Sequence, residues 1–178
     1  KGEKKDYKVE NLDIFNKSVE YLKKNGVPSA LVDTEYIFSE ALKVSRNTLK
    51  YSMSREIKEE DKNKIREMLV LRAKKRKPLQ YILGEWEFYG LPFKVRENIL
   101  IPRSDTEILV EQCIQLMREI EEPNILDIGS GSGAISIAIA NELKSSSVTG
   151  VDINEDAIKL ANENKILNKV ENVNFMKS

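Results

Sequence analysis

The residues in this 178-residue chain best suited to chemistry are the run Ile125-Leu126-Asp127-Ile128-Gly129-Ser130-Gly131-Ser132-Gly133-Ala134 and the acid Asp152, about 25 residues beyond Asp127. Glycines let the backbone turn tightly and let a ligand approach the main chain closely. A helix that follows such a turn offers N–H groups with no intrahelical partner. A carboxylate at the end of the next strand is placed to take both hydroxyls of an adenosine ribose. Other chemistries are excluded by composition. With no His and a single Cys113, a zinc site, His-based acid–base catalysis and an internal disulfide framework all drop out. Cysteine usage leaves the cytoplasm as the default compartment. The remaining agents are a bound cofactor, carboxylates and backbone groups.

Two nucleoside ligands compete for the turn. Gly129, Gly131 and Ala134 satisfy G-x-G-x-x-A, the dinucleotide pattern. Asp127 argues against it: a carboxylate ~5 Å from a pyrophosphate costs ~3 kcal/mol at an effective dielectric of ~20. S-adenosyl-L-methionine carries a sulfonium and an ammonium, which an acid there attracts. The D-x-G-x-G-x-G spacing resembles the cofactor motif of class I methyltransferases. The bland alternative is that the glycines serve only helix–strand packing.

The elements that must position these residues are legible as patterns. Lys1 to Glu10 is charged and aperiodic and is expected to fray; its start on Lys rather than Met suggests a trimmed chain. Leu12, Phe15, Val19 and Leu22 form a helical stripe closed by Asn25-Gly26. Ser29 can cap a second helix through Tyr36, Phe38 and Leu42. A third, through Ile65, Met68, Leu69 and Leu71, runs into the basic cluster Arg72–Lys77 and stops at Pro78. Two or three short strands follow between Trp86 and Ile101, turning at Gly90-Leu91-Pro92 and Arg96-Glu97-Asn98. A helix is expected over Asp105–Ile120, with Ser104 and Glu107 at capping-box spacing. Strand Ile125–Ile128, helix Ala134–Leu143, strand Val148–Ile153, helix Glu155–Lys165 and strand Val173–Met176 then alternate, as right-handed βαβ units on a parallel sheet do. The fold class is therefore α/β: a helical bundle over 1–77, a β-hairpin linker over 78–103 and a partial Rossmann-like domain over 104–178. In a doubly wound sheet the first strand lies in the middle, yet here it would keep an open edge despite the residues of a buried strand. The chain is expected to be a fragment.

Three blocks narrow the reading further: Pro78-Leu79-Gln80-Tyr81-Ile82-Leu83-Gly84, Phe88-Tyr89-Gly90-Leu91-Pro92-Phe93-Lys94-Val95 and Leu100-Ile101-Pro102-Arg103-Ser104-Asp105-Thr106-Glu107. Together they resemble the linker of the HemK/PrmC family, whose members methylate the side-chain amide nitrogen of the Gly-Gly-Gln glutamine in peptide chain release factors. Ser104 departs from the family's usual Pro and suits a helix start equally well. The resemblance implies that Gly129, Ser130, Gly131, Ser132 and Gly133 cradle the methionine moiety of S-adenosyl-L-methionine. It implies that Asp152 binds the ribose, that Asp127 lies near the amino group, and that Ile101, Pro102, Arg103, Thr106 and Glu107 line the cleft. The structural alternative makes Phe88, Phe93, Ile101, Trp86 and Tyr81 packing residues and pairs Arg103 with Asp105 or Glu107. The family's Asn-Pro-Pro-Tyr motif, which holds the acceptor amide, does not occur in the chain, so no catalytic residue is assigned and the chain is expected to bind cofactor only.

Class I release factors are the implied partners, with no metal and no membrane. Lys+Arg and Asp+Glu both number 29, so direct nucleic-acid binding is not expected from charge. The basic cluster is read first as a helix C-terminus meeting its dipole, and second as a contact with an acidic partner or RNA. The rival functions are a methyltransferase acting on RNA, DNA or another protein, and a non-catalytic binding module.

Overall fold

The computed structural model describes residues 6–178. Of the expected frayed stretch, Lys1–Lys5 lie outside the described residues; the rest is ordered, because Asp6 caps a helix. Its carboxylate accepts from the Lys8 and Val9 N–H groups, and α1 runs over Tyr7–Lys24. The expected Asn25-Gly26 stop is a Schellman cap: Val27 N–H donates to Leu22 C=O and Gly26 N–H to Lys23 C=O, with Gly26 at φ +71°. Helix α2 spans Ala30–Leu42, and Ser29 occupies its N-cap position without a capping bond. Two helices were not legible: α3, Arg46–Ser52, capped by Ser45, and α5, Leu79–Leu83, directly after Pro78. Between them α4 covers Glu59–Ala73, with three acids in its first turn. Leu22, Ile37, Phe38 and Ile65 are fully buried, and Phe15 meets Phe38 edge-on at 5.1 Å.

The basic cluster is largely consumed within this helical unit. Helix α4 ends before most of it. Arg72 Nε donates to buried Asp33 at 2.6 Å, Arg76 reaches Gly26 C=O, and Lys74 lies over the Tyr21 ring. These contacts tie Arg72, Lys74 and Arg76 to other parts of the helical unit.

The chain divides into compact units between Leu83 and Gly84. The second unit opens with a hairpin, β1 Glu85–Phe88 against β2 Leu91–Lys94. Its turn is Tyr89-Gly90, both at positive φ, the geometry that suits the twist of a two-residue hairpin. Leu91 and Pro92 are therefore strand rather than turn residues, and residues 95–103 form no strand. The expected Ser104 capping box does not form: a 3₁₀ turn covers Ser104–Thr106, α6 starts at Glu107 and ends at Met117, and Glu107 accepts from Tyr89 N–H at 2.8 Å.

Then come β3 Asn124–Ile128, α7 Ala134–Glu142, β4 Ser147–Asp152, α8 Glu155–Leu167 and β5 Val173–Lys177. The sheet is parallel in the order β3-β4-β5. Phe88, Phe93, Val110, Ile137, Val148 and Val173 form its core with the hairpin. As expected, β3 is left at an edge: Leu126 is 60% exposed and Ile128 78%, far from the burial those side chains have inside a parallel sheet.

Candidate cofactor site

The site lies at the C-terminal ends of β3 and β4, where open α/β sheets place their ligands. The turn from β3 into α7 is pinned by its own backbone. Gly129 and Ser130 N–H both donate to Val151 C=O of β4, at 2.8 and 3.0 Å, and Gly133 N–H donates to Ser130 C=O. Gly129, Gly131 and Gly133 all have φ between +54° and +80°, which a side chain tolerates poorly.

The three glycines differ in what they face. A Cβ on Gly129 or Gly131 would meet nothing within 4 Å, whereas one on Gly133 would lie 2.7 Å from the Phe175 ring and 3.0 Å from Ala161. Gly150 of β4 is likewise roofed by Phe175, at 2.5 Å. The packing reading thus describes Gly133, while Gly129 and Gly131 leave open space where a side chain would be. Ser130 and Ser132 are buried in the turn.

Asp152 holds the turn directly. Its Oδ2 accepts from Gly131 N–H at 2.9 Å and its Oδ1 from Asn154 N–H at 2.9 Å. A carboxylate has about four acceptor positions, so both oxygens, fixed in orientation, can still take hydroxyl donors. Asp127 is half-buried on β3, and Ser136 Oγ of α7 donates to its Oδ2 at 2.6 Å. Burial pushes the Asp127 carboxyl above its ordinary range and the Asp152 charge adds to this, while the Ser136 hydrogen bonds oppose it. Two carboxylates around one glycine turn suit a cationic ligand better than a pyrophosphate.

Of the remaining expected residues, Pro102 is half-buried and Arg103 exposed, between the hairpin and the 3₁₀ turn. Arg103 forms no ion pair with Asp105 or Glu107 among the described residues, since Glu107 is turned to Tyr89. Two residues with structural leverage on the site were not singled out for it in the sequence: Ser136, which holds Asp127, and Asn164, whose Nδ2 donates to Ser132 C=O. The available signal for Asn164 was its position inside a helix, where Asn is a poor choice unless its side chain has a partner. Among the described residues no group of three or more Cys, Asp or Glu side chains is arranged to hold a metal ion. No described helix is long and apolar enough to cross a membrane.

Comparison with known proteins agrees with this division. The family model for the PrmC N-terminal domain matches residues 13–84, and one for a methyltransferase domain matches residues 121–178. A release factor glutamine methyltransferase of Fusobacterium nucleatum is 88% identical over the whole chain, which covers 50% of that protein. A protein of the same name from Leptospira interrogans is 37% identical over 94% of the chain and 59% of its own length. One from Geobacter sulfurreducens is 42% identical over 81% and 50%. The chain thus spans about half the length of the curated relatives it matches.

Proposed function

Because the chain belongs to the HemK/PrmC family, we propose that its second unit binds S-adenosyl-L-methionine between the β3–α7 turn and Asp152. We propose further that the whole protein is a cytoplasmic protein-(glutamine-N5) methyltransferase. Its acceptor is the Gly-Gly-Gln glutamine of class I peptide chain release factors, a reading supported by relatives named release factor glutamine methyltransferases. The helical recognition unit, expected over 1–77, takes in α5 and ends at Leu83; the linker then runs to residue 103 and the cofactor-binding part covers 104–178. The observation that carries the cofactor reading is the pairing of two glycines that leave open space, Gly129 and Gly131, with a carboxylate locked by Gly131 and Asn154.

When bound, the cofactor supplies an electrophilic methyl group on a sulfonium. Asp152 accepts the ribose hydroxyls. Asp127 would lie near the ammonium, and the bare faces of Gly129 and Gly131 would admit the methionine moiety, with Ser130, Ser132 and Gly133 completing the turn. The family resemblance would place Pro102 and Arg103 on the cofactor side of the cleft. Displacement at a sulfonium methyl needs alignment and exclusion of water more than acid–base chemistry. The Asn-Pro-Pro-Tyr motif that the family resemblance assigns to the acceptor amide does not occur in these 178 residues, so no residue of the chain is assigned to the acceptor.

Calorimetric titration with S-adenosylhomocysteine tests this. The wild-type chain is expected to bind, and Asp152→Ala to weaken binding by ~1–3 kcal/mol, the cost of losing a charged hydrogen-bond acceptor. Equal affinity for the variant and the wild type would overturn the assignment of Asp152.

A further inference from the structure

From Pro92 to Ile99 the chain runs antiparallel along α8, fastened at successive turns of that helix. Asn168 Nδ2, near the C-terminal end of α8, donates to Pro92 C=O at 2.8 Å. One turn back, Asn164 Oδ1 accepts from Lys94 N–H at 2.7 Å and its Nδ2 donates to Lys94 C=O at 3.1 Å. Glu163 takes the Lys94 ammonium and the Arg96 guanidinium. Ile99 packs with Ala157 and Leu160 in the first half of the helix. This strap ends beside the helix end that follows Asp152, and the next residues are Leu100 to Arg103.

Among these fasteners Asn164 is distinctive. Its side chain is fully buried, and it treats Lys94 as a neighbouring strand would, accepting from the N–H and donating to the C=O. Its second N–H goes to Ser132 C=O at 3.0 Å, inside the glycine-rich turn. One amide therefore satisfies the open edge of β2 and ties it to the turn. Buried amides of this kind fix one arrangement, because each lost bond leaves a buried polar group unpaired.

We propose that Asn164 is a positioning residue for cofactor binding, coupling the strap of residues 92–99 to the Gly129–Gly133 turn so that the two are seated together. This rests on the cofactor reading above. By linkage, the coupling acts in both directions: a ligand in the turn steadies the strap, and loosening the strap weakens the ligand. Asn172 provides the matched control. Its Nδ2 sits against the carbonyls of Ala140, Leu143 and Ser146 at the start of β5, at the opposite end of the strands from Asp152. It should therefore matter to stability without touching the site.

The test is S-adenosylhomocysteine titration of wild type, Asn164→Ala and Asn172→Ala, at a temperature where each is folded, with hydrogen exchange followed in parallel. Asn164→Ala is expected to lose about tenfold in affinity, roughly one buried hydrogen bond, and Asn172→Ala less than twofold at a comparable loss of stability. Equal losses for the two variants would make Asn164 merely structural and overturn the proposal. The exchange measurement needs no variant. In the wild type the ligand should slow exchange of the Lys94 N–H, which Asn164 holds, and leave that of Tyr89, held by Glu107, unchanged. An unaffected Lys94 would also overturn the coupling, while a wild type that does not bind at all would overturn the cofactor reading and the proposal with it.

Discussion

Substituting Ala for each glycine of the turn separates the two reasons a glycine can be required. At Gly131 the only cost is conformational: φ is +54° and a Cβ meets nothing within 4 Å. An L-residue held in that region costs ~1–2 kcal/mol. Gly133 carries the same strain at φ +80°, and its Cβ would also sit 2.7 Å from Phe175 and 3.0 Å from Ala161. Overpacking of that kind adds ~1–3 kcal/mol. Both substitutions restrict the unfolded chain equally, so Gly133→Ala should be less stable than Gly131→Ala by ~1–3 kcal/mol. Urea unfolding read by fluorescence measures this cleanly, because the single Trp86 lies in β1 of the same unit. Binding of S-adenosylhomocysteine should rank the other way, with Gly131→Ala the weaker binder at equal folded fraction. Phe175→Leu should cost less stability in the Gly133→Ala background than in the wild type, since the shorter side chain makes room for the methyl group. Equal urea midpoints for the two glycine variants, or a Phe175→Leu effect identical in both backgrounds, would refute the packing assignment.

Asp127 links stability and binding to pH with opposite signs. Burial raises its folded pKa, so its ionised form destabilises the ligand-free fold, and that penalty grows as pH rises through the unfolded and then the folded value. Asp127→Asn should therefore raise the unfolding midpoint of the ligand-free chain at neutral pH, measured by urea titration. Titration of S-adenosyl-L-methionine should show wild-type affinity falling as pH drops through the raised pKa, where a neutral carboxyl no longer attracts the ammonium, and Asp127→Asn should flatten that dependence. In the helical unit, Arg72→Ala should cost ~3 kcal/mol, because it strands Asp33, whose side chain is only 6% exposed. Glu163→Ala, which breaks the exposed pairs to Lys94 and Arg96, should cost under ~1 kcal/mol. Circular dichroism followed through urea unfolding should register the Arg72→Ala loss in the helical signal.

Local pattern carried most of the architecture. Alternating apolar runs and helical stripes located the sheet strands and six of the eight α-helices among the described residues, and Asn25-Gly26 marked a Schellman stop because only local backbone bonds make it. Short elements were less legible. Helices α3 and α5 have seven and five residues, too few for a periodic signal to rise above its neighbours. The Ser104-to-Glu107 capping box was plausible locally and lost to a distant partner, the Tyr89 N–H.

The site divides along the same line. Sequence alone determined that a glycine-rich turn with one acid before it and another at the end of the next strand stands where a βαβ unit binds a nucleoside, because residue type and spacing suffice for that. Which glycine borders open space and which faces the core was decided only when β5 brought Phe175 over Gly133 and Gly150. Likewise, the roles of Ser136 and Asn164 depend on partners across separate elements. Such contacts are set by packing in three dimensions, and neither periodicity nor propensity along the chain encodes which side chain will meet which backbone.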